Sequence, residues 1–103
     1  MDNEKILKKV TAALQKKMSI TQVYLFGSRA RGTFYIDSDY DFAIVSDDFS
    51  LMSFDARQKL VRPLIRKVLG TVSLDVSCYT KLEFFQGRGA YLPSIIEKEG
   101  IRA

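Results

Sequence analysis

The 103 residues carry 16 Lys and Arg against 12 Asp and Glu, a net charge of +4, and are 47% apolar and 12% aromatic, enough for one core in a single domain over residues 1–103. Histidine is absent and cysteine occurs once, at Cys78, which excludes Ser-His-Asp and Cys-His nucleophilic sites, His-ligated zinc and an intrachain disulfide. No apolar run approaches the roughly 18 residues of a membrane span and the start MDNEKILKK lacks a secretory apolar region, so a cytoplasmic protein is expected.

Ile6, Leu7, Val10, Ala13, Leu14 and Met18 recur at helical spacing, with Asp2 or Asn3 available as N-cap. Gln22 to Phe26 (QVYLF) reads as a buried strand stopped by Gly-Ser, Ser28 to Arg31 as a short helical turn, and Gly32 to Ser38 as loop. Asp39 to Ser46 (DYDFAIVS) is a second strand, ended by Asp47, Asp48 and Ser50. Phe54, Leu60, Val61, Leu64, Ile65, Val68 and Leu69 form a second helical stripe between Ser53 and Gly70, within which Pro63 is expected to kink or break the helix. Thr71 to Tyr79 (TVSLDVSCY) alternates as a third strand, with Val72, Leu74, Val76 and Cys78 on one face and Ser73, Asp75 and Ser77 on the other. Leu82 to Ile101 is expected to close the fold with one or two short helices.

The charge is unevenly spread. No Lys or Arg lies between Gly32 and Ala56, whereas Asp37, Asp39, Asp41, Asp47, Asp48 and Asp55 all do; the basic residues cluster in the two long helices. Solvated helix faces explain those clusters more simply than a nucleic-acid footprint. Asp39 and Asp41 are two apart in a strand and project together, with Ala43 and Val45 below them and Tyr40, Phe42 and Ile44 on the opposite side. Two unit charges about 4 Å apart repel by roughly 1 kcal/mol in water and about 4 kcal/mol near a protein surface, so the pair calls for a cation or a raised pKa. Hard divalent ions suit all-oxygen ligands, and Mg²⁺ commonly takes one or two carboxylates plus substrate phosphates, which implies a phosphate-bearing substrate. Asp75 is the one charged residue of the third strand and joins the pair if the second and third strands are neighbours; otherwise it is an exposed residue on a solvated face.

Upstream, Gly27 lets backbone amides approach a phosphate without an intervening Cβ, Ser28 adds a hydroxyl, and Arg29 and Arg31 offer positive charge, although their spacing lets only one face the site. Two familiar loops are excluded. GSRARGT has the glycine spacing of a P-loop but holds Thr33 where Lys is required, and DSDYDF starts like an EF-hand with Asp37, Asp39 and Asp41 but places Phe42 where the sharp turn needs Gly.

With GSRARG after a strand, SDYDF at the head of the next and LDV in a third, residues 20 to 80 resemble the nucleotidyltransferases of the DNA polymerase β-like superfamily, and above all the minimal ones. The resemblance implies an α+β fold, a mixed β-sheet flanked by helices. It implies that Gly27 and Ser28, with Arg29 and Arg31 beside them, bind the triphosphate, and that Asp39, Asp41 and Asp75 hold two Mg²⁺ ions, with Mn²⁺ as substitute. The implied activity is transfer of a nucleoside monophosphate, AMP from ATP, to a hydroxyl. The implied acceptor is a tyrosine of a small helical HEPN-type partner in a toxin–antitoxin pair, which makes a hetero-oligomer; Phe84, Phe85, Tyr91, Leu92, Ile95 and Ile96 are either its contact surface or simply core. A masking subunit with little or no catalysis is the alternative.

Overall fold

A computed structural model describes residues 2–32, 39–87 and 91–103, with only the backbone at 91 and 92. The expected loop from residue 33 onward, and Asp37 within it, lie outside the described residues. The chain runs α1 (Asn3–Gln15), β1 (Gln22–Phe26), α2 (Gly27–Arg31), β2 (Tyr40–Val45), a 3-10 turn (Asp47–Phe49), α3 (Phe54–Leu69), β3 (Leu74–Tyr79), α4 (Lys81–Gln86), α5 (Tyr91–Glu99) and β4 (Ile101–Arg102).

Local chemistry sets the helix ends. The Asp2 carboxylate accepts the Lys5 amide at 2.9 Å to start α1, and the Ser53 hydroxyl accepts the Ala56 amide at 3.1 Å to start α3. At α4, Thr80 and Glu83 form a reciprocal capping box. The strands lie in the order β3-β2-β1-β4, with β1 antiparallel to both β2 and β4 and β2 parallel to β3, so the sheet is mixed as expected. A parallel pair needs a crossover, and α3 is that crossover.

Two apolar layers close the sheet. On one face Val23, Leu25, Phe42, Ile44, Leu74, Val76 and Cys78 pack with Ile6, Leu7, Val10 and Leu14 of α1 and Val61 and Ile65 of α3. On the other, Tyr24, Phe26, Ala43 and Val45 pack with Phe84 of α4 and Ile96 of α5. Cys78 belongs to the first layer, and burial pushes its thiol up to about 12, so it is a protonated, inert apolar residue. Among the described residues no helix is long and apolar enough to cross a membrane.

Several expectations are corrected. Helix α3 continues unbroken through Pro63. Pro63 and Lys59, the residue whose carbonyl loses its helical donor, are both exposed, so water can satisfy that carbonyl. The third strand begins at Leu74 and not Thr71, and a fourth strand, β4, was not expected at all, because two residues carry no periodic signal. Phe54, assigned to the buried stripe, is 73% exposed.

Arg57, expected on a solvated basic face, is only 4% exposed. Its guanidinium meets Glu83 through two bonds of 2.6 and 3.1 Å, reaches the carbonyls of Met52 and Cys78, and lies against the rings of Phe49 and Phe54. This bond to Arg57 is also the chief reason the Glu83 carboxyl is held below its ordinary value. Removing one member of such a pair strands a buried charge. Glu83→Ala, which strands the buried guanidinium, should therefore lower stability by about 3 kcal/mol, and Arg57→Met, which strands only the 37%-exposed Glu83 carboxylate, should cost less, as chemical denaturation of both variants will measure.

Candidate active site

The aspartates gather at the N-terminal end of the parallel strand pair. In the register of β2 and β3, Asp41 stands opposite Asp75, with Tyr40 opposite Leu74 and Phe42 opposite Val76. Alternation along β2 sends Phe42 and Ile44 into the α1/α3 layer and Ala43 and Val45 into the other, so Asp41 shares the α4/α5 side of the sheet with Ala43. Asp39 immediately precedes β2 and is exposed, as is Asp75, whereas Asp41 is half-buried.

The third wall of the site is the junction between β1 and α2. Phe26 is the register partner of Asp41 and the N-cap position of α2, where it supplies no side-chain cap. Gly27 follows with φ 74°, and a Cβ there would collide with the Asp41 carboxylate, coming within 3.0 Å of its Cγ and closer still to Oδ2. Glycine is therefore required twice at this position, for the left-handed backbone and for the close approach.

The two arginines of α2 diverge. Arg29 lies over the Tyr40 ring, 4.3 Å from its centroid, and its carbonyl accepts the Asn3 side chain at 3.1 Å. Tyr40 packs with the α1/α3 layer, so this stack sits on the side away from Asp41. Arg31 pairs with Glu99 of α5 at 3.8 Å and acts electrostatically on Asp41. Nothing local in the sequence marks Glu99 as a neighbour of the site, because the contact joins the two ends of the chain.

Burial pushes the Asp41 carboxyl up to about 6, reinforced by the negative charge of Asp75 and then of Asp39, with Arg31 pulling the other way. The donor set is all oxygen, which suits a hard divalent ion. Among the described residues no group of three or more acidic, cysteine or histidine side chains is drawn together tightly enough to hold a metal by itself. A carboxylate pair supplemented by substrate phosphates is the arrangement Mg²⁺ commonly takes, and the mutual repulsion at Asp41 is what such an ion would relieve, so the residues present fit one.

The Asp41 carboxyl holds its proton longer in the folded chain than in the unfolded one, where its value is near 3.8. Between about pH 4 and 6 the folded state therefore binds the extra proton and loses stability as pH rises. The full shift corresponds to about 3 kcal/mol, and solvent screening reduces it to about 1–2 kcal/mol. Asp41→Asn should raise the melting temperature at pH 7, leave it nearly unchanged at pH 4, and flatten the slope between, in thermal melts across that range. Gly27→Ala should cost about 1–3 kcal/mol from the backbone alone and displace the Asp41 side chain as well, which the same melts and the Asp41 titration by NMR will register.

Comparison with known proteins gives the family and the shared fold. The family model described as a nucleotidyltransferase domain matches residues 6–103. No curated protein matches at a significant level. Among solved structures, a candidate nucleotidyltransferase from Sulfolobus solfataricus superposes with a TM-score of 0.66 at 23% identity, over 95% of this chain and 76% of that one. A toxin–antitoxin structure with AMP-PNP gives 0.66 at 24% identity over 92% and 69% of the two chains. A toxin–antitoxin MntA-HpeT mutant, in which two aspartates spaced two apart are changed to glutamate, gives 0.63 at 20% identity over 92% and 69%. At these identities the structures establish the shared fold, and the family model, which spans nearly the whole chain, establishes the class. The chain belongs to the nucleotidyltransferase domain family and is an enzyme of that class.

Proposed function

We propose that the chain transfers AMP from ATP to a hydroxyl group of a protein partner, in a reaction that depends on divalent metal. The observation that carries the reading is the pairing of Asp41 with Asp75 across parallel strands, beside a glycine that a Cβ would not allow, in a chain of the nucleotidyltransferase family. Asp39, Asp41 and Asp75 are the proposed ligands of two Mg²⁺ ions, with Mn²⁺ as substitute. When bound, such ions supply neutralisation of the triphosphate and activation of the attacking hydroxyl. Gly27 and Ser28 receive the phosphates through their amides and the serine hydroxyl, and Arg31, on the Asp41 side of the sheet, adds charge to them. Arg29, held over Tyr40, contributes by steadying α2 more than by direct contact.

In the transfer a bond forms between the acceptor oxygen and the α-phosphorus, the bond from that phosphorus to the β-phosphate oxygen breaks, and pyrophosphate leaves. The acceptor proton passes to Asp75, which is exposed and stands alone on its strand. Asp41 must be ionised to bind metal, and its raised pKa means that this ionisation and metal binding favour one another.

The acceptor in this reading is a tyrosine of a small helical HEPN-type protein, working with this chain in the cytoplasm as a toxin–antitoxin pair. Likeness to toxin–antitoxin structures, one of them holding AMP-PNP, supports it. Phe84 and Ile96 do not serve as the contact surface, since both are fully buried in the second layer. Phe85 remains at its margin, and the side chains of Tyr91 and Leu92 lie outside the described residues.

Calorimetry should show tight ATP binding only with Mg²⁺ or Mn²⁺ present, and equal affinity in excess chelator would overturn the site. Asp39→Ala and Asp41→Ala should abolish transfer while the folded state persists. Capture of the partner, with mass spectrometry for a 5′-adenylyl adduct on tyrosine, tests the acceptor; a stable complex without an adduct would point to masking alone.

A further inference from the structure

β3 is the outer strand of the sheet beside β2, and such an edge normally leaves a row of backbone groups unpaired. Its carbonyls alternate in direction. Those of Ser73 and Tyr79 accept amides of Tyr40 and Ser46, so the odd-numbered carbonyls face β2 and the even-numbered ones face outward. All four outward carbonyls from Val72 to Cys78 are taken by side chains of α3. Arg66 donates to Val72 at 2.9 Å, Arg62 to Leu74 at 3.3 Å, Gln58 to Val76 at 2.5 Å and Arg57 to Cys78 at 3.1 Å.

The spacing explains why one helix can do this. Gln58, Arg62 and Arg66 are four residues apart, about 6 Å along a helix, and their acceptors are two residues apart, about 6.6 Å along a strand. The two pitches match, so α3 runs antiparallel to β3 as a ladder of side chains along its free edge. What composition presents as a basic solvated face is partly this ladder.

Gln58 and Arg62 grip the carbonyls on either side of Asp75. Strand β2 holds Asp75 from the inner side only, and there the facing charge of Asp41 pushes the two strands apart. We infer that Gln58 and Arg62 are positioning residues for the reaction, clamping β3 from outside so that the Asp75 carboxylate stays level with Asp41 against their mutual repulsion. The inference rests on the proposed role of Asp75 in holding divalent metal.

The test is Mn²⁺ titration of the whole chain without nucleotide, read by water-proton relaxation, together with hydrogen exchange of the Asp75 and Ser77 amides. Gln58→Met removes the donor at constant length and charge, Arg62→Met removes donor and charge, and Arg62→Lys restores a donor. Gln58→Met and Arg62→Met should each weaken Mn²⁺ binding about tenfold, as outer-shell partners of ligands do, and speed exchange at Asp75, while Arg62→Lys recovers most of the affinity. In an Asp75→Asn background the same substitutions should change the remaining affinity no further. If Asp75→Asn weakens Mn²⁺ binding while Gln58→Met and Arg62→Met bind as wild type, the clamp is wrong and the role of Asp75 stands. Equal losses with and without Asp75 would also overturn the clamp. If Asp75→Asn itself binds as wild type, the metal role of Asp75 fails, and the clamp fails with it. Should Arg62→Met melt below the assay temperature, Gln58→Met decides the question alone, because it alters no charge.

Discussion

The parallel pairing of β2 with β3 is the constraint on which the site depends. Each strand contributes an aspartate near its N-terminal end, and the register brings Asp41 and Asp75 level on the same side of the sheet. A shift of one residue would send one of them into the opposite layer among Phe42 and Val76. The apolar residues below the aspartates therefore hold two like charges together: Phe42, Ile44, Val76 and Cys78 are all buried and cannot change sides without emptying the core. Core packing thus supplies the energy that keeps a repulsive pair in place.

The same trade is visible at Gly27. A β-strand that ends in a left-handed glycine turn allows the chain to double back into α2 directly above a carboxylate, an approach no other residue type permits. Asp41 is accordingly half-buried and raised in pKa, which lowers the stability of the folded chain at neutral pH. Stability lost at the site is recovered elsewhere, in the two apolar layers and in the buried contact of Arg57 with Glu83, which ties α3, the end of β3 and α4 together at the opposite end of the strands.

The basic residues take on a different meaning in three dimensions. Arg57 is buried, Arg62 and Arg66 are committed to carbonyls of β3, and Arg29 lies over Tyr40. These arginines are structural ties between elements, so a net charge of +4 overstates the chain's appetite for polyanions. With the outward carbonyls of β3 taken by α3, the other end of the sheet is β4, only two residues long, which limits edge-to-edge association there.

Most of the fold was legible from periodicity and caps. The alternation in DYDFAIV and LDVSCY and the stripes of α1 and α3 follow from the solvent preference of single residues, and that preference acts locally. The motif spacing was legible for the same reason, since Gly27 and Ser28 directly follow β1 and Asp39 and Asp41 stand at the head of β2. The sequence could not reveal contacts whose partners are far apart along the chain. Two-residue β4 exists only because β1 offers it a ladder, Pro63 is tolerated only because the helix around it is packed on one face and wet on the other, and Arg57 is buried only because Glu83 arrives 26 residues later. Whether Asp75 joins Asp41, which arginine turns toward them, and what holds β3 from outside were decided by strand register and by α3 lying along the edge. Those are properties of pairing between segments, and hydrophobic pattern within a segment does not encode them.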